Sequence, residues 1–383
     1  MTIEQTYPGV RVLDLATNIA GPFAAMIFGD MGADVIKVER SPHGDDTRSL
    51  PPFVDGQATV FAAVNRNKRS ILLDLKSPEG RETLMELVET ADIVIESFPP
   101  GFADKHDFIF DDFRTRNPRI LLCSISAFGD GPIGRHMPGY DALVQAVSGL
   151  MSFTGSEGDP TVRIAPSALD LGTGMWAAIA LMAALTRRGV HGMGEHIRPA
   201  LIDTAFTLMN HQYLAYLATG DLPRKLGSGA PSAAPYGVYA ADDGELMIAT
   251  ASEAQFPRLC AALGLDKVAT HPDFATMPAR LAHRNALDML IAAKIGTRTV
   301  EHWLTVLIDA GISAGRVNSL HEADALPVVR ERDYLIIPTD KGGSEAIPQL
   351  RLPIDPGRTA LRRQPPQLGE HIAEIMKELR TVR

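Results

Sequence analysis

"VRVLDLATNIAGPFAAMIFGDMGADVIKVER", residues 10–40, is the stretch on which the architecture turns. It reads as a short buried strand over 10–15, a helix with Pro22 near its first turn and Gly32 as its stop, and a second strand over 34–39. Two strands joined through a helix pair in parallel, with the helix laid on the sheet. The pattern then recurs. "SPEGRETLMELVETA", opened by Ser77 and Pro78, predicts an amphipathic helix ahead of the strand "DIVIES" (92–97), and "DDFRTRNP" ends another helix before "RILLCSIS" (119–126). Such alternation implies a parallel, helix-covered sheet with ligands at the carboxyl ends of its strands.

Those ends carry "ATNIAGP", "ERSPHGDDTR", "ESFPPG" and "SAFGDGP", loops of Gly, Pro and polar residues that let backbone approach a ligand closely. Glu39, an acid closing the second strand, invites a dinucleotide reading. The GxGxxG fingerprint is absent, however, and Pro22 removes a backbone N–H that a pyrophosphate would need. "NRNKRSILLDLKSPEG" (65–80) clusters Arg66, Lys68, Arg69 and Lys76 around a small strand, either as a solvated face or as a phosphate holder.

The chain has 383 residues, enough for two domains. Its 45% hydrophobic and 22% charged residues describe an ordinary soluble protein, and its net charge of −9 argues against nucleic acid or an anionic membrane as a partner. Cys123 and Cys260 read as buried, reduced thiols, and the N-terminal "MTIEQTYPGVRVLDL" has no signal-peptide pattern, so a cytoplasmic location is expected. Eleven histidines form no ligand cluster, and no metal is expected.

Residues 200–219 predict one long helix, and "DLPRKLGSGAPSAAPY" (221–236) a connection. "YGVYAADDGELMIAT" reads as a hairpin turning at Asp242–Gly244, followed by helices in "EAQFPRLCAALGL", "RLAHRNALDMLIAAKI" and "TVEHWLTVLIDAG". The expected division is a large α/β domain from 1–200 and 326–383, a linker over 201–224 and a small α+β domain over 225–325. The tail, with strand-like "DYLIIP" and "AIPQLRLP" and the helix "GEHIAEIMKELR", returns to the large domain.

"SALDLGTGMWAAIALMAAL" (167–185) predicts a helix buried on most sides, too short and too rich in Gly and Ala to span a bilayer, with one carboxylate, Asp170, at its mouth. Asp170 is there either as a helix cap or as a working carboxylate. Taken in order, the motifs quoted so far, with "PGYDALVQAVSGLMSFTG" (138–155) and "QPPQLGEH" (364–371), resemble the family III CoA-transferases, whose relatives include α-methylacyl-CoA racemases. The resemblance covers nearly the whole chain.

It implies a large domain with a Rossmann-like sheet built from both chain ends, a smaller middle domain, and two subunits interlocked as a homodimer. It implies acyl-CoA and a small carboxylic acid as substrates, coenzyme A as the carried group, and Asp170 as the nucleophile, with Gly172 and Gly174 leaving room for the thioester. Helix-start N–H groups would then keep Asp170 ionised. The motif positions of Asn18, Arg40, Leu73, Ser97, Phe98 and Lys105 match CoA-contacting residues. Ser97 stands where the family often has Asn, and Lys105 where it often has Arg, a fork replaced by a point charge. "HGMGEH" and "IRPA" replace the family's "TGxGQ" and "VDVS", and "LGSGAPSAAPY" is the candidate for its Gly-rich shielding loop. The racemases carry His in a "GHD" motif. Here Tyr140 precedes Asp141, and a neutral phenol is a poor base at neutral pH. Asp141 then orients the site or a neighbouring backbone, or caps its own helix. The implied reaction is acyl-CoA:carboxylate CoA transfer, the alternatives being racemisation and CoA binding without catalysis.

Overall fold

The computed structural model describes residues 3–337, 347–354 and 361–382. The chain divides into two compact units. The first comprises residues up to Ser148, Ile164–Leu214 and the chain from Val328 onward; the second is Gly149–Arg163 and Ala215–Pro327. Gly149–Arg163 thus lies with the second unit, although it precedes the boundary drawn at 200. The parts of "DYLIIP" and "AIPQLRLP" within 338–346, and the connection there, lie outside the described residues.

The first unit is built on six parallel strands: β1 (Arg11–Asp14), β2 (Asp34–Arg40), β3 (Lys68–Leu73), β4 (Ile93–Glu96), β5 (Leu121–Ser124) and β6 (His196–Ile197). Their order across the sheet is β3-β2-β1-β4-β5-β6. The order reverses at β1, so the loops after β1 and β4 flank the crevice where open α/β sheets bind ligands. Leu13, Ile36, Ile71, Val94 and Leu122 lie on one face, packed against the helix α2 (Pro78–Glu89) and the C-terminal helix through Ile375 and Leu379. Ser77 caps α2 by accepting the Gly80 N–H at 3.0 Å.

The helix α1 (Ala20–Asp30) follows β1 as the sequence predicts. Gly32 stops it at φ 102°, where a Cβ would fall 1.9 Å from the Glu4 carbonyl oxygen. Residues 201–219 form two helices rather than one, Leu201–Leu208 and Asn210–Thr219. The backbone loosens at Met209, whose N–H and carbonyl still bond to Ala205 and Tyr213.

The second unit holds a three-stranded antiparallel sheet: the hairpin β7 (Tyr236–Ala241) and β8 (Gly244–Ala249), with β9 (Ser313–Arg316) on its edge. Leu246, Ile248, Phe256, Leu259, Leu287, Ile291 and Trp303 close its core. The helix expected over 280–295 begins at Arg284, because His283 breaks it from Met277–Ala282.

Candidate active site

The ligand-facing loops are held by an interior of charge. Asp14, fully buried at the end of β1, accepts from Lys68 Nζ at 2.7 Å and from Lys37 Nζ at 3.4 Å. Lys37 also donates to the Ala16 carbonyl at 2.9 Å and pairs with Asp45. Burial lowers the Lys68 ammonium to about 8, against the pull of Asp14, while the carboxylates around Lys37 outweigh its burial and raise it. Arg66 grips Asp30, and Arg69 pairs with Asp34, Glu374 and Glu378. The basic run of residues 65–80 is therefore neither a solvated face nor a phosphate holder, apart from exposed Lys76; its charges are spent inside the fold. Glu39 is likewise occupied, receiving Arg48, Ser70 and the Asp45 N–H.

Three loops meet at the crevice. Asn18, at φ 65°, donates its backbone N–H to Asp45 at 3.4 Å, and the Thr17 N–H donates to Ser97 Oγ at 3.1 Å. Phe98 N–H donates to Glu96 at 2.6 Å, which fixes the turn carrying Ser97. The Phe98 ring stands 4.9 Å from that of Phe102. Asn18, Ser97 and Phe98 are thus brought together, along with the loop that Arg40 opens. Arg40 is exposed at the end of β2 and paired with Asp46 and the Gly44 carbonyl. Lys105 is exposed on the short helix Phe102–His106. Leu73 is buried in the sheet's core at the carboxyl end of β3.

Asp170 lies in the first turn of α4 (Ala168–His191), behind Ser167 as N-cap, so it does not cap that helix. The expected cap work is done by Asp141, which is buried and belongs to another helix, α3 (Asp141–Val147). Its Oδ2 accepts the Leu169 N–H at 2.8 Å and the Asp170 N–H at 3.2 Å, and Gln145 Nε2 donates to its Oδ1. The N–H groups expected to keep Asp170 ionised are therefore committed to a neighbouring carboxylate. Burial, reinforced by the Asp141 charge, pushes Asp170 up to about 7. A helix start normally favours a carboxylate by about 0.3–1 kcal/mol, too little to offset both. The Asp170 carboxylate has no hydrogen-bond or ion-pair partner among the described residues.

Gly172 and Gly174 do not make room for a ligand. A Cβ on Gly172 would meet Thr204 Cγ2 at 2.7 Å, and one on Gly174 would meet the Ala20 carbonyl oxygen at 2.6 Å. The glycines let α4 press onto Leu201–Leu208 and onto the start of α1, which sets the first turn of α4 beside the junction following Asn18. Nor is α4 buried on most sides, since Met175, Trp176 and Ile179 are 47%, 48% and 55% exposed. It runs 24 residues, long and apolar enough by composition to cross a membrane, yet Thr173, Ala177, Ala178, Leu181 and Ala184 are buried within the unit. Tyr140 is 71% exposed beside Asp141.

Sequence reasoning missed Glu96, Ser124 and His196, at the carboxyl ends of β4 and β5 and on β6. Burial pushes Glu96 up to about 7 and His196 down to about 4, and Ser124 Oγ lies 2.8 Å from His196 Nε2. The acid closing "DIVIES" was the available signal. Among the described residues no group of His, Cys, Asp and Glu is arranged to hold a metal.

Residues 7–372 match CoA-transferase family III. The chain is 38% identical to the succinate–glutarate CoA-transferase of Agrobacterium fabrum, over 98% of this chain and 96% of that protein. It is 35% identical to the acetyl-CoA:oxalate CoA-transferase of Acetobacter aceti, over 97% and 95%. Among solved structures, a CAIB/BAIF family protein from Brucella suis superposes with a TM-score of 0.85 at 37% identity, covering 97% of this chain and 98% of that one.

Proposed function

Because the chain belongs to CoA-transferase family III and is a CoA-transferase, we propose that it moves CoA from a donor acyl-CoA to an acceptor carboxylate with Asp170 as the covalent nucleophile. The observation that carries this reading is a half-buried carboxylate with no partner, raised to about 7 and held by its backbone at the crevice side of the sheet. A carboxylate stripped of donors is more basic and more nucleophilic than a solvated one, and it loses little solvation on attack.

Asp170 attacks the thioester carbonyl and expels CoA thiolate, giving an aspartyl acyl anhydride. The thiolate attacks the aspartyl carbonyl, releases the donor acid and leaves an aspartyl-CoA thioester. The acceptor carboxylate attacks that thioester, and the freed thiolate then attacks the acceptor side of the new anhydride. Acceptor acyl-CoA leaves, and Asp170 is restored with no net gain of water or protons. Asn18, Ser97 and Phe98 line the CoA approach, and exposed Arg40 and Lys105 supply charge for its phosphates, which favours binding over the chemical step. The names of the relatives, which include glutarate and oxalate, support a diacid acceptor.

The exposed stripe Met175, Trp176 and Ile179 supports burial against a second copy in an interlocked homodimer, and two buried free thiols support a reducing, cytoplasmic setting. Mass spectrometry of enzyme quenched with donor acyl-CoA tests the mechanism: the peptide containing Asp170 should carry a CoA adduct, and its absence during rapid exchange would refute covalent transfer. A second experiment tests racemisation: an (R)-2-methylacyl-CoA in deuterated water should gain no deuterium at C2 without an acceptor acid, and rapid deuterium entry there would overturn the transferase reading.

A further inference from the structure

Glu96 closes β4, Ser124 closes β5, and the two are register partners across the sheet. His196 on β6 pairs with Leu122, two residues before Ser124, so the period of two puts all three side chains on one face. The His196 ring stacks on Phe110 of the helix Phe110–Arg116, their centroids 5.5 Å apart. Glu96 is buried and takes no part in the chemistry given to Asp170. A buried carboxylate is costly unless its oxygens are supplied with donors, so its partners define what it does.

Those partners form a chain with one direction. His196 Nδ1 receives the Arg198 Nε–H at 3.2 Å, a nitrogen that also lies 3.1 Å from Asp130 Oδ2. Arginine has donors and no acceptor, so Nδ1 must offer its lone pair. Burial and the Arg198 charge lower His196 to about 4, which leaves the ring neutral above pH 7 with its one proton on Nε2. That proton faces Ser124 Oγ, 2.8 Å away. Ser124, accepting there, gives its own proton to the Glu96 carboxylate, to which its hydroxyl is bonded. Glu96 also accepts the Phe98 N–H at 2.6 Å. Burial works against its ionised form, and the Ser124 and Phe98 donors oppose that. Between the two pinned residues, Ser97 Oγ accepts the Thr17 N–H, which ties the loop after β4 to the loop after β1.

We propose that Glu96 is a positioning residue for coenzyme A: the chain Arg198–His196–Ser124 ends on its carboxylate, which pins the Phe98 N–H and so sets the turn that Ser97 and Phe98 bring to the crevice. This rests on the reading that Ser97 and Phe98 line the CoA approach, and it does not depend on the role given to Asp170.

The test combines calorimetric titration of the full chain with free coenzyme A and 15N spectra of the histidine rings at pH 8, His196 being assigned by its loss in His196→Gln. The His196 proton should sit on Nε2. Glu96→Met removes both acceptor oxygens and should raise the Kd for coenzyme A at least about tenfold. Glu96→Gln is the second arm, since it keeps the shape and an oxygen for the Phe98 N–H. A neutral acceptor holds that N–H about half as strongly, so Kd should rise at least about threefold. Its amide also faces Ser124 with a donor. Ser124 should then turn its proton to His196, which should move to the Nδ1–H form while exposed Arg198 turns to water, a change that loose packing alone would not produce. An Nδ1–H ring in the unaltered protein, or a ring unchanged in Glu96→Gln, would overturn the chain. Phe98→Ala separates the proposal from its premise. If it leaves Kd unmoved, the CoA approach lies elsewhere and the proposal falls with it; if it raises Kd while Glu96→Gln does not, the positioning role alone is refuted. None of these outcomes bears on the aspartyl adduct.

Discussion

Asp14 and Asp170 are carboxylates of the same unit, one closing β1 and the other opening α4, and their surroundings are opposite. Asp14 is saturated: two lysines and the Ala16 N–H converge on it, and the same lysines tie down the Ala16 and Pro22 carbonyls. Asp170 has its backbone held and its carboxylate left alone. A charge whose partners are complete is part of the scaffold, and removing one of those partners strands a buried ion. A charge that the fold leaves unpaired has been kept at a cost in stability, and that cost is tolerated where the group has chemistry to do.

Four experiments break or sharpen this contrast. The largest effect belongs to Asp170→Ala, which should lower CoA exchange by at least about 10⁴-fold, roughly 5.5 kcal/mol of barrier, with the fold intact by circular dichroism. Retention of more than about a hundredth of the activity, 2.7 kcal/mol, would remove Asp170 from the nucleophile's role. Next is Lys68→Met, which leaves Asp14 short of a partner and should cost about 3–5 kcal/mol in urea unfolding; a loss under about 1 kcal/mol would make the interior pair dispensable.

Third is Asp170→Asn, which should stabilise the chain. With Asp170 raised to about 7, the folded state holds a proton that the unfolded chain gives up from about pH 4. This group's contribution therefore declines as pH rises from about 4 to about 7, and the deficit is fully present above that. The variant should gain about 2 kcal/mol at pH 8 and little at pH 4. Equal gains at both pH values would contradict the raised carboxyl. The smallest effect concerns the pH profile. Exchange should rise with pH around a midpoint near 7, and Asp141→Asn, which removes the like charge, should lower that midpoint by less than about one unit. A midpoint unmoved by Asp141→Asn would assign the shift to burial alone.

The parallel sheet was legible because strands buried on both faces announce themselves as short apolar runs, and the helices between them carry their own signals, a start at Ser77 and a stop at Gly32. The edge strand Ser313–Arg316 was not legible, because "SAGR" has no apolar alternation and pairs only by adding to a finished hairpin. The basic run at 65–80 shows the main blind spot. A sequence gives the sign of a charge but not its partner, and Arg66, Lys68 and Arg69 find theirs at Asp30, Asp14 and the far C-terminal helix. Asp170 stood out only as a lone acid beside apolar residues. That Asp141 would take the N–H groups of its helix start depends on a contact 28 residues away in sequence, which no local pattern encodes.

The first unit is written in the chain as separate pieces, and its last piece is the helix Ile372–Val382. Arg69 on β3 waits for Glu374 and Glu378, and Ser70 accepts the His371 N–H on its carbonyl while donating its own N–H to His371 Nδ1. On the ribosome, every residue of the second unit has therefore been made before the sheet's outer edge has its covering. A nascent chain spends that interval with β3 uncovered along one side, an open template for strand pairing. Translation stalled before residue 372 leaves a finished small unit attached to an unfinished large one, the form that a chaperone able to shield a bare sheet edge would meet first.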